Sequence, residues 1–294
     1  MARALVFLVL LCLVASALVC GGEARKMVGV YVLKKGDFSV KVTNWGATIM
    51  SIILPDGKGN LADVVLGKDT LAEYVNDTAY FGPLSGRVAQ RMARGRFVLD
   101  GKVYHTYIND GRNAIHGGHR GFSKVIWTVK EYVAGGDSPY ITLYYRSFDG
   151  EQGFPGDLDV YATYQVSSPY ALSILTNATD APALGVPVMG GKGVRGYDIN
   201  YVIDGDGMRK VAAVRDGASG RALQLWANQP AMQLYTGNGL NGTKGKGGVV
   251  YRQYGGFCLE TQAYPDAVNH PEFPSVTVRP GQVYKHDMLL KFSF

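Results

Sequence analysis

The chain has 294 residues, 47% of them hydrophobic and 18% charged, a balance typical of a globular protein with one sizeable core. Its net charge of +6 comes from interleaved acids and bases. The single dense arginine cluster, at 87–96, has no zinc-ligand spacing or RNA-binding motif, which argues against a nucleic-acid-binding protein. Of the three cysteines, Cys12 and Cys20 lie near the N-terminus, and cleavage after Ala24 would leave only Cys258, which argues against a disulfide-stapled fold. We interpret Cys258 as a small buried apolar residue and not as a nucleophile.

The N-terminal segment has the pattern of a cleaved signal peptide. Arg3 supplies a positive charge, residues 5–14 form an apolar run, and small residues at 15–17 and 22–24 offer cleavage sites. The run is shorter than the roughly 20 residues that span a bilayer. We therefore predict a signal peptide over 1–24 and no stable membrane insertion after cleavage.

Glycosylation motifs in the remaining chain agree with that prediction. Asn76, Asn177 and Asn241 each begin an Asn-X-Thr sequence, the acceptor pattern of secreted proteins. We expect the protein to enter the secretory pathway and to reach the extracellular space or apoplast.

Alternating apolar and polar residues predict strands along residues 25–294. The clearest cases are 38–43, 96–99, 141–145, 160–164 and 275–278. Turn sequences separate them, and Asp100-Gly101 between two apolar stretches predicts a hairpin. The one helix candidate is 70–75. The pattern favours a single all-β domain over 25–294, arranged as a large antiparallel sandwich or barrel.

Two arginines follow the first predicted strands. Arg87 and Arg91 lie four residues apart between Gly86 and Gly95. A guanidinium is a rigid donor of several hydrogen bonds, which suits sugar hydroxyls and a ring oxygen. The alternative is a pair of surface salt bridges.

His116 lies in the sequence His-Gly-Gly, where glycines permit unusual backbone angles and close approach of a ligand. Its imidazole can donate or accept a proton near neutral pH. The alternative is a packed histidine in a turn. The remaining histidines have no such surroundings and are interpreted as structural or surface residues: His105, His119, His270 and His286.

Glu260 ends the mostly apolar run 256–260. Desolvation there would raise the pKa of its carboxyl toward the range of a general base. The alternative is a buried salt bridge to Arg91. Asp198 and Gln233 are further hydrogen-bonding candidates, although neither stands out alone.

Taken in order, these segments resemble the aldose 1-epimerase (galactose mutarotase) family, in its plant-like secreted form. The resemblance runs from about Val28 to the C-terminus. The motifs that carry it are Asn44-Trp45-Gly46-Ala47, residues 86–91, 111–118 and 153–156, Gly196-Tyr197-Asp198, residues 232–238, Leu259-Glu260-Thr261-Gln262 and residues 269–274.

The resemblance implies a large β-sandwich, a mechanism without cofactor or metal, and a small aldose such as galactose or glucose as substrate. We expect a monomer. A carboxylate takes the proton of the anomeric hydroxyl and a histidine protonates the ring oxygen; the ring then opens and recloses as the other anomer. The residues that the family pattern implies are the base Glu260, Arg91 and His116 on the ring-oxygen side, and Asp198, Gln233 and Gln90 around the substrate.

The chain departs from the family pattern at the general acid. The family's acid histidine follows Thr-Asn, but here Thr176-Asn177 is followed by Ala178. Only a short stretch, 181–195, then precedes Gly196, where family members carry several more strands. We infer an internal deletion that removed the histidine and those strands. Gln90 also replaces the usual asparagine.

Loss of a positioned acid would remove much of the roughly 10² to 10⁴-fold rate that such a group contributes. One hypothesis is that His116 takes over the acid role, which predicts that His116→Ala abolishes the residual activity. The competing hypothesis is a catalytically inactive sugar-binding module. A phosphosugar epimerase would need a dedicated cation cluster, and a glycosidase would need a second carboxylate; the sequence supports neither.

Overall fold

The computed structural model describes residues 27–179 and 196–294. The predicted signal peptide and the short 181–195 stretch lie outside the described residues. The strands, numbered in chain order, are β1 (Val30–Lys35), β2 (Phe38–Thr43), β3 (Thr48–Leu54), β4 (Ala62–Asp63), β5 (Arg96–Leu99), β6 (Lys102–His105), β7 (Thr128–Val133), β8 (Tyr140–Ser147), β9 (Leu158–Ser168), β10 (Ala171–Thr179), β11 (Asp198–Val202), β12 (Arg209–Arg215), β13 (Ala222–Ala227), β14 (Ala231–Tyr235), β15 (Thr243–Lys244), β16 (Val250–Tyr251), β17 (Cys258–Gln262) and β18 (Val283–Ser293). The described α-helix is α1 (Leu71–Val75).

These strands form antiparallel sheets, which confirms the all-β sandwich prediction. A four-stranded sheet has the order β1-β2-β3-β4, and a seven-stranded sheet has the order β12-β13-β18-β10-β9-β8-β7. A three-stranded sheet, β11-β14-β17, lies beside them, and β5-β6 and β15-β16 are short hairpins. Two sheets packed face to face are the usual way for alternating strands to bury their apolar sides.

The main core lies between the four-stranded and seven-stranded sheets. Trp127 is fully buried there and donates its indole N–H to the carbonyl oxygen of Phe122. The apolar side chains around it come from alternate positions of both sheets: Leu33, Phe38, Val40, Val42, Ile52, Leu54, Ile141, Leu143, Leu158, Val160, Ala162 and Leu172. Each large aliphatic side chain buried in this way stabilises the fold by about 1.5–3 kcal/mol.

Local predictions are confirmed where the sequence signal was strongest. The strands β2 and β5 have the predicted bounds, and the β5–β6 hairpin turns at Asp100 (φ +50°) and Gly101 (φ +76°). Helix α1 begins after Thr70, whose hydroxyl accepts from the Glu73 amide while the Glu73 carboxylate accepts from Thr70.

Two expectations are wrong. Residues 275–278 alternate in polarity but form no strand, because they pair with no partner in the described part of the chain. Cys258 was expected to be a small buried residue, yet it is exposed. It begins β17 and lines the cavity described below.

Candidate active site

A cavity of about 1710 Å³ is lined by residues from both faces of the three-stranded sheet and by the inner face of the seven-stranded sheet. It exceeds the roughly 300–1,000 Å³ of common ligand pockets. One side, the polar wall, consists of β11, β14 and β17 together with the segments at 87–91 and 115–116. The other side, the apolar floor, consists of the cavity-facing residues of β10, β13 and β18.

The register of β11, β14 and β17 determines which side chains lie next to one another in the polar wall. Asn200 on β11, Gln233 on β14 and Glu260 on β17 are directly paired, so their side chains share one row on one face. Asp198 belongs to the adjacent row and accepts a hydrogen bond from Gln233 Nε2 at 2.7 Å. The second amide atom, Gln233 Oε1, is buried with no partner among the described residues. The three polar residues predicted for the C-terminal half therefore meet at one place: Asp198, Gln233 and Glu260.

The Glu260 carboxyl has the properties of a general base. Its pKa is raised to about 7: burial is the largest cause, the Asp198 carboxylate acts in the same direction, and Arg91 opposes the increase. Arg91 does not pair with Glu260, because its guanidinium Nε donates to the Asp110 carboxylate. The alternative of a buried Glu260–Arg91 salt bridge is therefore excluded, and Arg91 lines the cavity with its charge balanced by a neighbour.

His116 lines the same cavity from the 111–118 loop. Its backbone is left-handed (φ +52°), its ring packs on Tyr80 with centroids 4.5 Å apart, and its Nδ1 is buried without a partner among the described residues. Burial lowers the pKa of His116 to about 4; a hydrogen bond with the Ala89 backbone opposes this, and the Arg91 cation adds to it. The imidazole is neutral at pH 7 and has a ring nitrogen free for a ligand.

The glycines beside His116 serve to pack two segments together. Gly117 has φ +77°, and a Cβ atom there would overlap the carbonyl oxygen of Gly86. That oxygen also accepts from the Phe122 amide. The close approach predicted from the glycines is thus made by the arginine segment, which brings Arg91 and His116 to the same side of the cavity.

Gln90 lies in the wall but is only 7% exposed. Its Nε2 donates to Gln262 Oε1 at 2.9 Å, and Gln262 Nε2 donates to Asn200 Oδ1 at 2.7 Å. This amide chain joins the arginine segment to β17 and β11. The sequence did not single out Gln262 or Asn200, although both lie at period-2 positions of strands that carry site residues.

Arg87 is a structural residue. Its guanidinium donates to the Ser147 hydroxyl at 2.7 Å and to the carbonyl oxygens of Ser147, Phe148 and Pro155. All of its nitrogens are therefore engaged with neutral acceptors of the fold, and neither alternative considered for Arg87, contact with sugar hydroxyls or a surface salt bridge, is observed.

The apolar floor holds the position at which the family pattern expects an acid. Ala178 on β10 is 4% exposed and faces the cavity. Ala178 pairs with Tyr284 of β18, and His286 is the next cavity-facing residue along that strand, where it pairs with Thr176. From the sequence, His286 was interpreted as a structural or surface residue. Alternation along β18 was the signal that would have placed it inside: the cavity-facing residues are Tyr284, His286, Met288, Leu290 and Phe292.

The remaining histidines lie elsewhere: His105 and His119 are exposed, and His270 pairs with the Glu272 carboxylate. Across 27–179 and 196–294, no group of three or more histidine, cysteine or acidic side chains is placed to hold a metal ion. Within the same residues, no helix has the length and apolar character needed to cross a membrane. The polar wall gathers groups for proton transfer and hydrogen bonding.

Comparison with known sequences identifies relatives of this chain. The family model described as aldose 1-epimerase matches residues 29–188 and 179–291. The chain belongs to the aldose 1-epimerase family. It is 36% identical over 334 aligned residues to galactose mutarotase from Rattus norvegicus, covering 93% of this chain and 95% of that protein. Aldose 1-epimerase from Escherichia coli (strain K12) is 27% identical over 312 residues, covering 83% and 89%.

Solved structures of the family share the fold. A GalM/aldose epimerase homologue from C. elegans superposes with a TM-score of 0.79 at 24% identity, covering 91% of this chain and 99% of that chain. A galactose 1-epimerase from Lactobacillus acidophilus NCFM gives a TM-score of 0.70 at 21% identity, covering 89% and 93%.

The alignment also locates a difference from the family. The 334 aligned positions with the rat protein exceed the 294 residues of this chain, so some residues of the relative lie opposite gaps. The two ranges that match the family model meet at 179–188, directly after β10. Both observations agree with an internal deletion following Ala178.

Proposed function

We propose that this protein is an aldose 1-epimerase that interconverts the α and β anomers of a neutral hexose such as galactose or glucose. The observation that carries the proposal is the Glu260 carboxyl, whose pKa is raised to about 7 in a cavity that it shares with Arg91, His116 and Asp198. A base with a pKa near the working pH is efficient at removing a hydroxyl proton. Family membership supports the same reaction.

In this mechanism Glu260 takes the proton of the O1 hydroxyl, and the O1–H electron pair forms the C1=O1 double bond. The C1–O5 bond breaks, and its electron pair takes a proton from the protonated form of His116, which is the minor form at pH 7. Rotation about C1–C2 turns the opposite face of the aldehyde toward O5. Reclosure reverses both proton transfers, so Glu260 and His116 return to their starting states without any cofactor.

The other polar groups bind the sugar. Arg91 donates on the ring-oxygen side, where the Asp110 carboxylate balances its charge. Asp198 and the unpartnered Gln233 Oε1 accept from sugar hydroxyls. Gln90 holds the wall through Gln262 and shapes the pocket. A phosphorylated sugar fits poorly, because Arg87 is engaged within the fold and Arg91 is already paired.

The test is polarimetry of α-D-galactose and α-D-glucose with purified protein lacking residues 1–24, above the spontaneous rate. Glu260→Gln keeps the shape but cannot accept the proton, so we expect a loss of about 10²- to 10⁴-fold. His119→Ala, at an exposed histidine, is the matched control and keeps full activity. Binding of galactose by a folded protein that shows no rate above background would instead establish a sugar-binding module.

Secretion of the protein is part of this proposal, and so is a monomeric state. The charged and apolar pattern of residues 1–24 supports a cleaved signal. Asn76 and Asn241 are exposed, whereas Asn177 lies within the seven-stranded sheet between β9 and β18. Expression of the full chain in a secreting eukaryotic host should give glycans at Asn76 and Asn241, and light scattering should give the monomer mass. Retention of an unglycosylated, uncleaved chain inside the cell would contradict secretion.

A further inference from the structure

β17, the strand that carries the proposed base, is paired with another described strand along only one of its two edges. In the described part of the chain, β17 pairs with β14 and has no ladder partner on its other edge. No hydrogen bond or salt bridge among the described residues fixes the Glu260 carboxylate. The position of that carboxylate therefore depends on how β17 itself is held.

A second support comes from the apolar floor. His286 on β18 projects into the cavity among apolar neighbours, with Tyr284 and Met288 at the adjacent cavity-facing positions. Its Nε2 lies 2.7 Å from the hydroxyl Oγ1 of Thr261. Thr261 is 6% exposed and directly follows Glu260 on β17. One partly buried hydrogen bond thus joins the seven-stranded sheet to the strand of the proposed base.

The geometry gives His286 a part in catalysis without contact with the substrate. Side chains alternate along a strand, so Thr261 faces the floor while Glu260 faces the opposite side of β17, in the row of Gln233. A shift of β17 relative to the floor would move Glu260 by the same amount. Misplacement of a reacting group by about 1 Å can cost about 10²-fold in rate.

We propose that His286 is a positioning residue for Glu260, which acts by holding Thr261 and with it the free edge of β17. The inference rests on the proposed function. An unpartnered imidazole among apolar side chains would be costly, so the His286–Thr261 bond is also what satisfies both groups. Burial lowers the pKa of His286 to about 4, so it holds Thr261 as a neutral imidazole near neutral pH.

Two substitutions remove the bond from opposite ends. His286→Leu and Thr261→Val should each lower kcat about 10- to 100-fold while KM changes little, because binding groups stay in place. The double variant should be no worse than either single variant, since both remove one interaction. His286→Gln and Thr261→Ser keep a hydrogen-bonding group and should restore most of the rate. Met288→Leu, the next cavity-facing position on β18, is the control and keeps the rate.

A second readout does not require turnover. The carboxyl titration of Glu260, followed by infrared difference against Glu260→Gln, should give a pKa near 7 in the unsubstituted protein and in Met288→Leu. In His286→Leu and Thr261→Val it should move toward the ordinary value, because a displaced β17 exposes the carboxyl to water. Thermal melting shows whether each variant is folded.

The outcomes separate the two proposals. If Glu260→Gln is as active as the unsubstituted protein, the proposed function fails, while an unchanged Glu260 titration in His286→Leu would overturn the positioning role by itself. Additive kcat losses, or lower melting temperatures with unchanged kcat, would also overturn it. Loss of activity in His286→Gln with full activity in Thr261→Val would mean that His286 exchanges a proton with the sugar directly.

Discussion

The two sides of the cavity are built differently. The polar wall carries Asp198, Gln233 and Glu260 in adjoining rows of a three-stranded sheet, braced by the amide chain of Gln90 and Gln262. The apolar floor carries aliphatic and aromatic side chains. The polar wall carries Glu260, His116 and Arg91 at the positions that the family pattern implies, with Gln90 in place of the usual asparagine, whereas the floor carries Ala178 at the position of the family's acid.

This difference shows that the two halves of an acid–base pair depend on separate parts of the chain. Glu260 and its neighbours come from β11, β14 and β17, which follow the shortened stretch, and from the arginine segment, which precedes it. The acid position, Ala178, lies directly before that stretch on β10. The deletion inferred at this place would remove the family's acid and leave the proposed base Glu260 in position, so the proposed epimerase would be a weakened one.

Restoring an acid to the floor should have the largest effect. Ala178→His places an imidazole on the cavity side of β10, at the position of the family's acid, and we expect kcat to rise about 10²-fold or more, because a positioned acid contributes about 10² to 10⁴ in rate. Polarimetry measures the gain. Ala178→Phe fills similar space without a proton and should give none; an equal gain in that variant would show that packing, and not acid catalysis, limits the rate.

Breaking the packing of the polar wall should cost the most stability. Gly117→Ala combines a left-handed backbone (φ +77°) with overlap of the Gly86 carbonyl oxygen, so we expect a loss of about 3–5 kcal/mol in unfolding free energy. Gly111 is also left-handed (φ +60°) but has open space around its Cβ position, and Gly111→Ala should cost only about 1–2 kcal/mol. Urea denaturation compares them. Equal losses would show that the approach of the two segments is not under strain.

The pH dependence of kcat/KM should fall off on both sides of a plateau, one side set by Glu260 and the other by His116. The productive form needs ionised Glu260 (pKa about 7) and protonated His116 (pKa about 4). Between pH 4 and pH 7 the ionised fraction of Glu260 rises as the protonated fraction of His116 falls. Their product is constant, so kcat/KM stays flat. Above pH 7 Glu260 is fully ionised while protonated His116 falls about tenfold per unit; below pH 4 the reverse applies.

The groups around each residue determine those pKa values. Asp198 and Arg91 face Glu260, and Arg91, Asp110 and the Tyr80 ring face His116. Stopped-flow polarimetry from pH 3 to pH 9 measures the profile, corrected for spontaneous mutarotation. A rate that stays level above pH 8 would show that the proton donor does not need to be charged.

The smallest expected effect comes from a substitution in the polar wall that should change only the pKa of Glu260. Asp198→Asn removes the charge that adds to the pKa of Glu260 and still accepts from Gln233. Because burial is the larger cause, the upper limb should move to lower pH by less than about one unit, and the lower limb should stay. Movement of both limbs would mean that Asp198 also acts on His116.

Much of the fold followed from local sequence signals. The alternation of β2 and β5, the Asp100-Gly101 turn and the Thr70 cap of α1 were each predictable, because they depend on interactions within a few residues. Residues 275–278 showed the same alternation and form no strand. Alternation gives a strand only where a neighbouring strand completes the backbone hydrogen bonds, which a single sequence does not reveal.

The sequence by itself determined the all-β class, the family and the residues most suited to proton transfer, Glu260 and His116, because these follow from residue type and short motifs. Only the tertiary structure decided what those residues meet. It paired Arg91 with Asp110 instead of Glu260, engaged Arg87 within the fold, and placed His286 against Thr261. Such contacts depend on strand register and on the packing of one sheet against another, and these are fixed by the whole chain at once.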